Sequence, residues 1–143
     1  MDTDVEARIR RSFARQGYMA AIGAELVHVA EGEVDIALPF SDQLTQQDGY
    51  LHAGVVAGAA DSACGYAALT TMDAAAEVLT VEFKINLLAP AAGEGLLARG
   101  RVVRAGRTLV VCRGDAVMIT GGKERQVATL TATLISMMRG ASG

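Results

Sequence analysis

Leu51-His52-Ala53-Gly54-Val55-Val56-Ala57-Gly58-Ala59-Ala60-Asp61-Ser62-Ala63-Cys64-Gly65-Tyr66-Ala67 is the stretch on which the fold turns. From His52 to Met72 almost every residue is small or apolar, so the segment predicts a helix that is apolar on nearly every side. Such a helix is a buried one. Gly54, Gly58 and Gly65 lie along it. Each costs about 0.5–1 kcal/mol against alanine in a helix interior, so three of them predict close backbone contact with a sheet, a partner or a ligand. Asp61 is the exception in charge: its neighbours Ala59, Ala60, Ala63 and Cys64 mark a buried face, where a carboxylate needs partners.

Working outward, the flanks read as sheet. Upstream, Leu26–Ala30 and Val34–Leu38 flank the turn Glu31-Gly32-Glu33, and Val34, Ile36 and Leu38 alternate with polar or small residues, which predicts a hairpin with one buried face. Pro39 ends it, and a polar loop, Phe40–Leu51, leads into the helix. Downstream, Glu77–Leu88 alternates Val81, Phe83, Ile85 and Leu87 against Thr80, Glu82, Lys84 and Asn86. Leu96–Arg104, Thr108–Ile119 and Gln126–Met138 follow as long strands joined by tight turns. Gly100 and Gly114 fall inside strands, where glycine marks a bulge or bend. Thr3–Gln16 predicts an N-terminal helix capped by Thr3 or Asp4, with Val5, Ile9 and Phe13 on one face, a solvated polar face, and Gly17 at its end. An antiparallel sheet of five to six strands wrapped around one long helix satisfies this pattern, giving an α+β class. One domain spans 1–143, with 1–17 as the N-terminal helix and 140–143 as a flexible tail.

Composition narrows the function. The 143 residues are 51% hydrophobic, enough to fill one core without disulfides or metals. A formal net charge of −3 offers no overall basic field for nucleic acid or an anionic membrane. Met1–Arg11 is charged, unlike a secretory signal, and no run approaches a membrane span, so a cytoplasmic protein is expected. Cys64 and Cys112 sit in apolar runs and read as packing residues. No phosphate loop, metal-ligand spacing or dinucleotide fingerprint occurs. No metal or redox cofactor is therefore expected.

The chemistry points back to the central helix. A helix N-terminus leaving a loop presents unpaired N–H groups and partial positive charge, which stabilise a developing oxyanion. His52 stands at that junction and Asp61 follows on the same helix. Each has a plainer reading, His52 as a cap or core histidine and Asp61 as a structural carboxylate, but the combination favours catalysis. Ala53 and Asp61 are eight positions apart, about 12 Å along a helix. Both cannot touch one carbonyl carbon, so a shared substrate requires Asp61 from a second chain and at least a two-fold dimer.

The quoted segment resembles the His-Gly-Gly…Asp signature of the PaaI-type hotdog-fold acyl-CoA thioesterases, and nearly the whole chain follows the family. Thr80-Val81-Glu82-Phe83-Lys84-Ile85-Asn86-Leu87-Leu88-Ala89-Pro90-Ala91 is similar to its central strand with a terminal proline, Arg101–Leu109 to its basic hairpin turn, and Gln126–Leu134 to its closing strand. The resemblance implies a hotdog fold that dimerises into a continuous sheet and pairs into a homotetramer. It implies hydrolysis of an acyl-CoA thioester to free acid and CoA, with coenzyme A present only as part of the substrate. It makes the Ala53 N–H the oxyanion donor, puts His52 near the carbonyl or leaving thiolate, and makes the partner's Asp61 the general base or an acyl-accepting nucleophile. Gln46 stands where the family has a loop Asn, and Thr80 where a Ser or Thr orients the acid or the water. Thr80 also reads as an ordinary strand threonine. Two departures stand out: Ala53 replaces the first glycine, adding a methyl, and Gln46 adds a methylene.

Gly54, Arg104 and Arg107 are candidates for holding substrate. The two arginines, with Arg101, bracket a turn and could meet CoA phosphates, since guanidinium matches phosphate geometry; a solvated hairpin tip is the plainer reading. Two alternatives remain on the same fold. A non-catalytic acyl-CoA sensor would have no need of Asp61 and would be expected to carry a DNA-binding segment, for which Met1–Gly17 is too short. A hydroxyacyl-thioester dehydratase would use His52 as its base.

Overall fold

The computed structural model describes residues 1–138. The tail expected at 140–143 lies outside the described residues.

Helix α3 (Ala53–Leu69) is the axis of the molecule. Its apolar residues point almost all round, and Val55, Val56, Ala59, Ala60, Ala63, Cys64 and Tyr66–Leu69 are buried. A six-stranded antiparallel sheet curls about it, built from β1 (Glu25–Ala30), β2 (Glu33–Pro39), β3 (Ala76–Leu87), β4 (Gly95–Ala105), β5 (Leu109–Thr120) and β6 (Lys123–Met138). The order across the sheet is β1-β2-β4-β5-β6-β3, so the strands that flank α3 in sequence end up apart, and β3 becomes an edge. Val34, Ile36 and Leu38 of β2 face the helix, as their alternation predicts.

Two glycines read as bends have another role. Gly100 of β4 pairs with Gly114 of β5, and both lie directly under α3. A Cβ on Gly100 would overlap the Ala63 carbonyl, and one on Gly114 would stand 2.9 Å from Cys64 Sγ and 3.1 Å from the Ala60 carbonyl oxygen. The pair is a seat for the helix backbone. The register shifts lie elsewhere, including one in β3 between Thr80 and Glu82. That bulge leaves Val81 outside the pairing and changes the strand's faces. Thr80 pairs with Leu134 and Phe83 with Ala132, both core residues, so Thr80 shares the helix-facing side with Phe83, Ile85 and Leu87. Strict alternation had placed it with Glu82, Lys84 and Asn86.

The N-terminal expectation also needs correction. Asp2, not Thr3 or Asp4, caps α1 (Thr3–Ala14), its carboxylate accepting from the Asp4 N–H at 3.0 Å. Gly17 does not end that helix but begins a second, short one, α2 (Gly17–Ala21). Nor is the polar face of α1 merely solvated. Arg8 donates to the Ala76 carbonyl at 2.6 Å, while Ser12 and Gln16 reach the Tyr66 hydroxyl at 3.3 and 3.0 Å. Phe13 packs its ring against Tyr66. α1 thereby closes over the C-terminal half of α3. No helix among the described residues is long and apolar enough to cross a membrane.

Candidate functional site

The loop before α3 is tightly built. Ser41 caps a single 3-10 turn at Asp42–Leu44, Thr45 bridges Leu51, the His52 N–H donates to the Leu44 carbonyl at 2.9 Å, and the Leu51 N–H to the Ala91 carbonyl at 3.0 Å. Gly49 supplies the one left-handed residue of the loop, at φ +87°. Inside it, the Gln46 side-chain carbonyl accepts from the N–H groups of Asp48 and Tyr50. A rigid loop of this kind delivers the helix start to a fixed position.

His52 is the N-cap of α3. Its Nδ1 accepts from the Gly54 N–H at 2.8 Å, while its carbonyl accepts from Val55. The neutral ring therefore carries its proton on Nε2, and His52 can donate outward but cannot accept there. The Gly54 N–H is consumed by the cap, and its carbonyl accepts from the Tyr18 hydroxyl at 3.2 Å. The Ala53 N–H, by contrast, donates to no group among the described residues. It stands in the first turn of a 17-residue helix, where the backbone dipoles concentrate positive potential.

A cavity of about 430 Å³ opens at this point. Ala53 and Gln46 line it together with Val56, Leu87 at the end of β3 and the residues 88–90 that follow. An unengaged N–H at the wall of a cavity lined mostly by apolar residues can polarise a carbonyl and hold the oxyanion that forms from it.

Asp61 and Thr80 are not in that cavity. They line a second one, of about 210 Å³, with Ser12, Gly65, Tyr66 and Val78 among its other walls. The Thr80 hydroxyl donates to Asp61 Oδ1 at 2.8 Å, a contact the β3 bulge makes possible. Burial pushes the Asp61 carboxyl above the ordinary carboxylate value, and the Thr80 hydrogen bond pulls it partly back. Partial desolvation of this kind makes a carboxylate a better proton acceptor.

Within one chain the two halves are thus separate. Thr80 and Leu87 are seven residues apart on β3, roughly 24 Å along an extended strand. The structure brings Gln46 to Ala53 and Thr80 to Asp61, but it does not bring either pair to the other.

The hairpin arginines lie apart from Ala53. Arg101 is committed to Asp35 at 2.6 Å, and Arg104 and Arg107 are exposed at the β4–β5 tip, beside the Thr108–Ser136 contact at the far end of the sheet. Arginines that do flank a cavity are Arg8 and Arg11 of α1 and its C-cap Arg15, beside Ser12 and Leu69 in a space of about 350 Å³. Sequence reasoning missed this side of the molecule because the polar face of the N-terminal helix read as solvated; the usable signal was Ser12 and Gln16 at i,i+4, on one face. Cys64 and Cys112 are buried, and the contact with Cys112, followed by burial, pushes the Cys64 thiol upward, leaving it a packing residue. Among the described residues no group of three or more His, Cys, Asp or Glu is arranged to hold a metal ion.

Comparison with known proteins places this architecture. A solved structure of a thioesterase family protein from Silicibacter pomeroyi is 48% identical and superposes with a TM-score of 0.92 over 94% of this chain and 98% of its own. The E. coli PaaI protein, at 19% identity, shares the fold with a TM-score of 0.84 over 93% of each chain. A protein of Saccharolobus solfataricus, provisionally named an esterase, is 33% identical over 90 residues. That match spans 63% of this chain and 64% of the relative, a little under two thirds of its length. The thioesterase superfamily model matches residues 48–130, from the loop that sets the start of α3 to the middle of β6. By that match and by its six-stranded sheet wrapped on α3, the chain belongs to the thioesterase superfamily and has its hotdog fold.

Proposed function

We propose that this protein hydrolyses an acyl-CoA thioester to the free acid and CoA, at a site composed by two chains. The observation that carries the reading is the partly desolvated Asp61, held by Thr80 against β3, the last strand of the sheet. β3 is twelve residues long and exposes Leu79, Val81, Phe83 and Leu87, a combination that a free edge would ordinarily avoid. Two copies pairing antiparallel along β3 would continue the sheet. The Thr80 half of one strand would then run beside the Leu87 half of the other. The second cavity of one chain would face the first cavity of its partner.

In that arrangement the thioester carbonyl accepts from the Ala53 N–H of one chain at the positive end of α3. Asp61 of the partner subunit takes a proton from water as its oxygen attacks the carbonyl carbon. The C–S bond then breaks, and the thiolate leaves with that proton. A direct attack by the carboxylate, giving an acyl-aspartate that water opens, uses the same groups. In this reading His52, whose Nε2–H points away from the cap, donates toward the carbonyl or the departing sulfur. Since its Nδ1 already caps the helix, it is poorly suited to the base role a dehydratase would require. CoA enters only as substrate, and the proposed chemistry needs neither metal nor redox cofactor.

Complementation tests the reading. Ala53→Pro removes the N–H at the first helical position, where proline is favoured, and His52 at φ −60°, ψ 139° already has the backbone that precedes proline. Asp61→Asn removes the base. Each variant alone should lose at least ~100-fold in kcat. Co-refolding the two in equal amounts should restore about a quarter of wild-type activity, because half the dimers then hold one intact site. If thioester turnover in the mixture stays at the level of the single variants, the two-chain site is wrong.

A further inference from the structure

α1 and its C-cap concentrate positive charge on one face. Of the 13 Lys and Arg residues in a chain of formal net charge −3, Arg8, Arg10, Arg11 and Arg15 fall within this one segment. Arg10 turns to Glu6 at 2.8 Å. Arg8, Arg11 and Arg15 follow one another at i, i+3 and i+7, a spacing that puts them on a single stripe. Compensation of the α1 dipole accounts for basic residues near its end, but it sets no face for them. The stripe lines the space of about 350 Å³ between α1, the Leu69 end of α3 and the start of β3, with Ser12 among the arginines. Arg8 is fixed there: its guanidinium donates to the carbonyls of Met72 and Ala76, at 3.5 and 2.6 Å, and holds the turn between α3 and β3 against the groove. Arg11 and Arg15 are exposed, and among the described residues their guanidinium groups have no hydrogen-bond or ion-pair partner. The wall carries one carboxylate, Glu77. Asp73, in the turn beside it, is engaged by the Ala75 N–H at 2.9 Å. Three guanidinium charges against one carboxylate leave an excess of positive charge in the groove.

We propose that this groove binds a phosphate-class anion, with Arg11 and Arg15 closing on its oxygens and Arg8 holding the wall behind them. A phosphomonoester carries about −1.5 to −2 charges at pH 7 and several acceptor oxygens, so it matches both the excess of charge and the number of donors. Guanidinium presents paired N–H groups to such oxygens. A single carboxylate would leave part of the excess uncompensated. The volume lies within the ~300–1,000 Å³ of small-molecule sites, so the groove admits a nucleotide as well as free phosphate. It shares only Ser12 and Val78 with the cavity that holds Asp61, and no step of the proposed hydrolysis uses it. The site therefore stands whether or not that hydrolysis occurs. A bound anion would tie α1 to the start of β3, and a ligand that binds only the folded chain stabilises it.

The test uses the full chain in chloride buffer of constant ionic strength, titrated with inorganic phosphate and with adenosine 3′,5′-bisphosphate, by calorimetry and by thermal melts. Binding should saturate at one anion per chain and raise the unfolding temperature with concentration. Arg11→Gln and Arg15→Gln, both at exposed positions, should each weaken it by about 10-fold, the worth of one charge-assisted hydrogen bond. Lys123→Gln combined with Arg125→Gln removes equal charge from the exposed start of β6 and should leave the affinity unchanged. Turnover of acetyl-CoA and acetyl-pantetheine separates two sources of the anion. If it is the nucleotide of CoA, the double variant Arg11→Gln, Arg15→Gln raises KM for acetyl-CoA alone; if it is free in solution, both KM values hold and only the thermal shift is lost. Either result supports the site. The absence of saturable binding of both probes, or equal weakening by the Lys123 and Arg125 pair, would overturn it. A chain that binds phosphate but turns over no thioester would overturn the hydrolysis reading and leave this site standing.

Discussion

On the proposed mechanism, Asp61 is where stability and chemistry conflict. Burial holds its carboxyl above the ordinary value, so its favourable contribution to folding is present below the unfolded-state pKa and is lost as pH rises through the folded-state pKa. At neutral pH the ionised group is a net cost. Asp61→Asn should therefore raise the unfolding temperature at pH 7 while abolishing turnover, and the stability gain should shrink toward pH 4; thermal melts at both pH values check it. Thr80→Val removes the one hydrogen bond that lowers the Asp61 pKa. The acid limb of the kcat/KM profile should then move to higher pH, with the plateau falling less than in Asp61→Asn. For His52 the plainer reading, a helix cap, is the one observed. The ring caps α3 through Nδ1, and that same bond directs Nε2–H outward.

At the scale of elements, the seat of α3 on Gly100 and Gly114 explains why a helix of alanines, valines and glycines can be the centre of a sheet. Small side chains on both surfaces let backbones approach, and the dense contact supplies the packing that a larger residue would supply elsewhere. Gly100→Ala should cost ~3 kcal/mol, the upper end for overpacking, because the added methyl meets a helix carbonyl that cannot turn aside. Gly114→Ala should cost less, since Cys64 Sγ is a side-chain atom with some freedom. Urea denaturation of both variants gives the order. Gly58 carries the close contact expected of the helical glycines, its missing Cβ lying 2.6 Å from the Tyr18 ring. Gly65 does not, because it faces a cavity.

For the whole molecule, the exposed edge decides the behaviour. If β3 is the seam between two chains, a charge there should separate them. Val81→Lys is suited to the purpose, since Val81 is 55% exposed and, as the bulge residue, has no place in the β3–β6 register. Lysine on an edge strand is also a common device against pairing. The variant should sediment as a folded monomer and lose at least ~100-fold in turnover, because neither half-site can act alone. A stable monomer with full activity would contradict the two-chain site.

The buried helix, the six strands and the loop that delivers the helix were all legible in residue pattern, and Asp61 stood out as a candidate, because burial periodicity and a lone carboxylate among alanines are local signals. So was the separation of Ala53 from Asp61, which follows from helix rise alone. Other features were set by contacts distant in sequence. The Val81 bulge turned Thr80 toward Asp61, whereas alternation in the strand itself placed it on the other face. Gly100 and Gly114 are a helix seat only because β4 and β5 pass beneath α3. Ser12, Gln16 and Tyr66 met through the docking of α1 on α3, some fifty positions away along the chain. Sequence determines which faces must be buried and which groups can react; tertiary structure decides which faces meet, since pairing register and helix docking depend on residues that no local window contains.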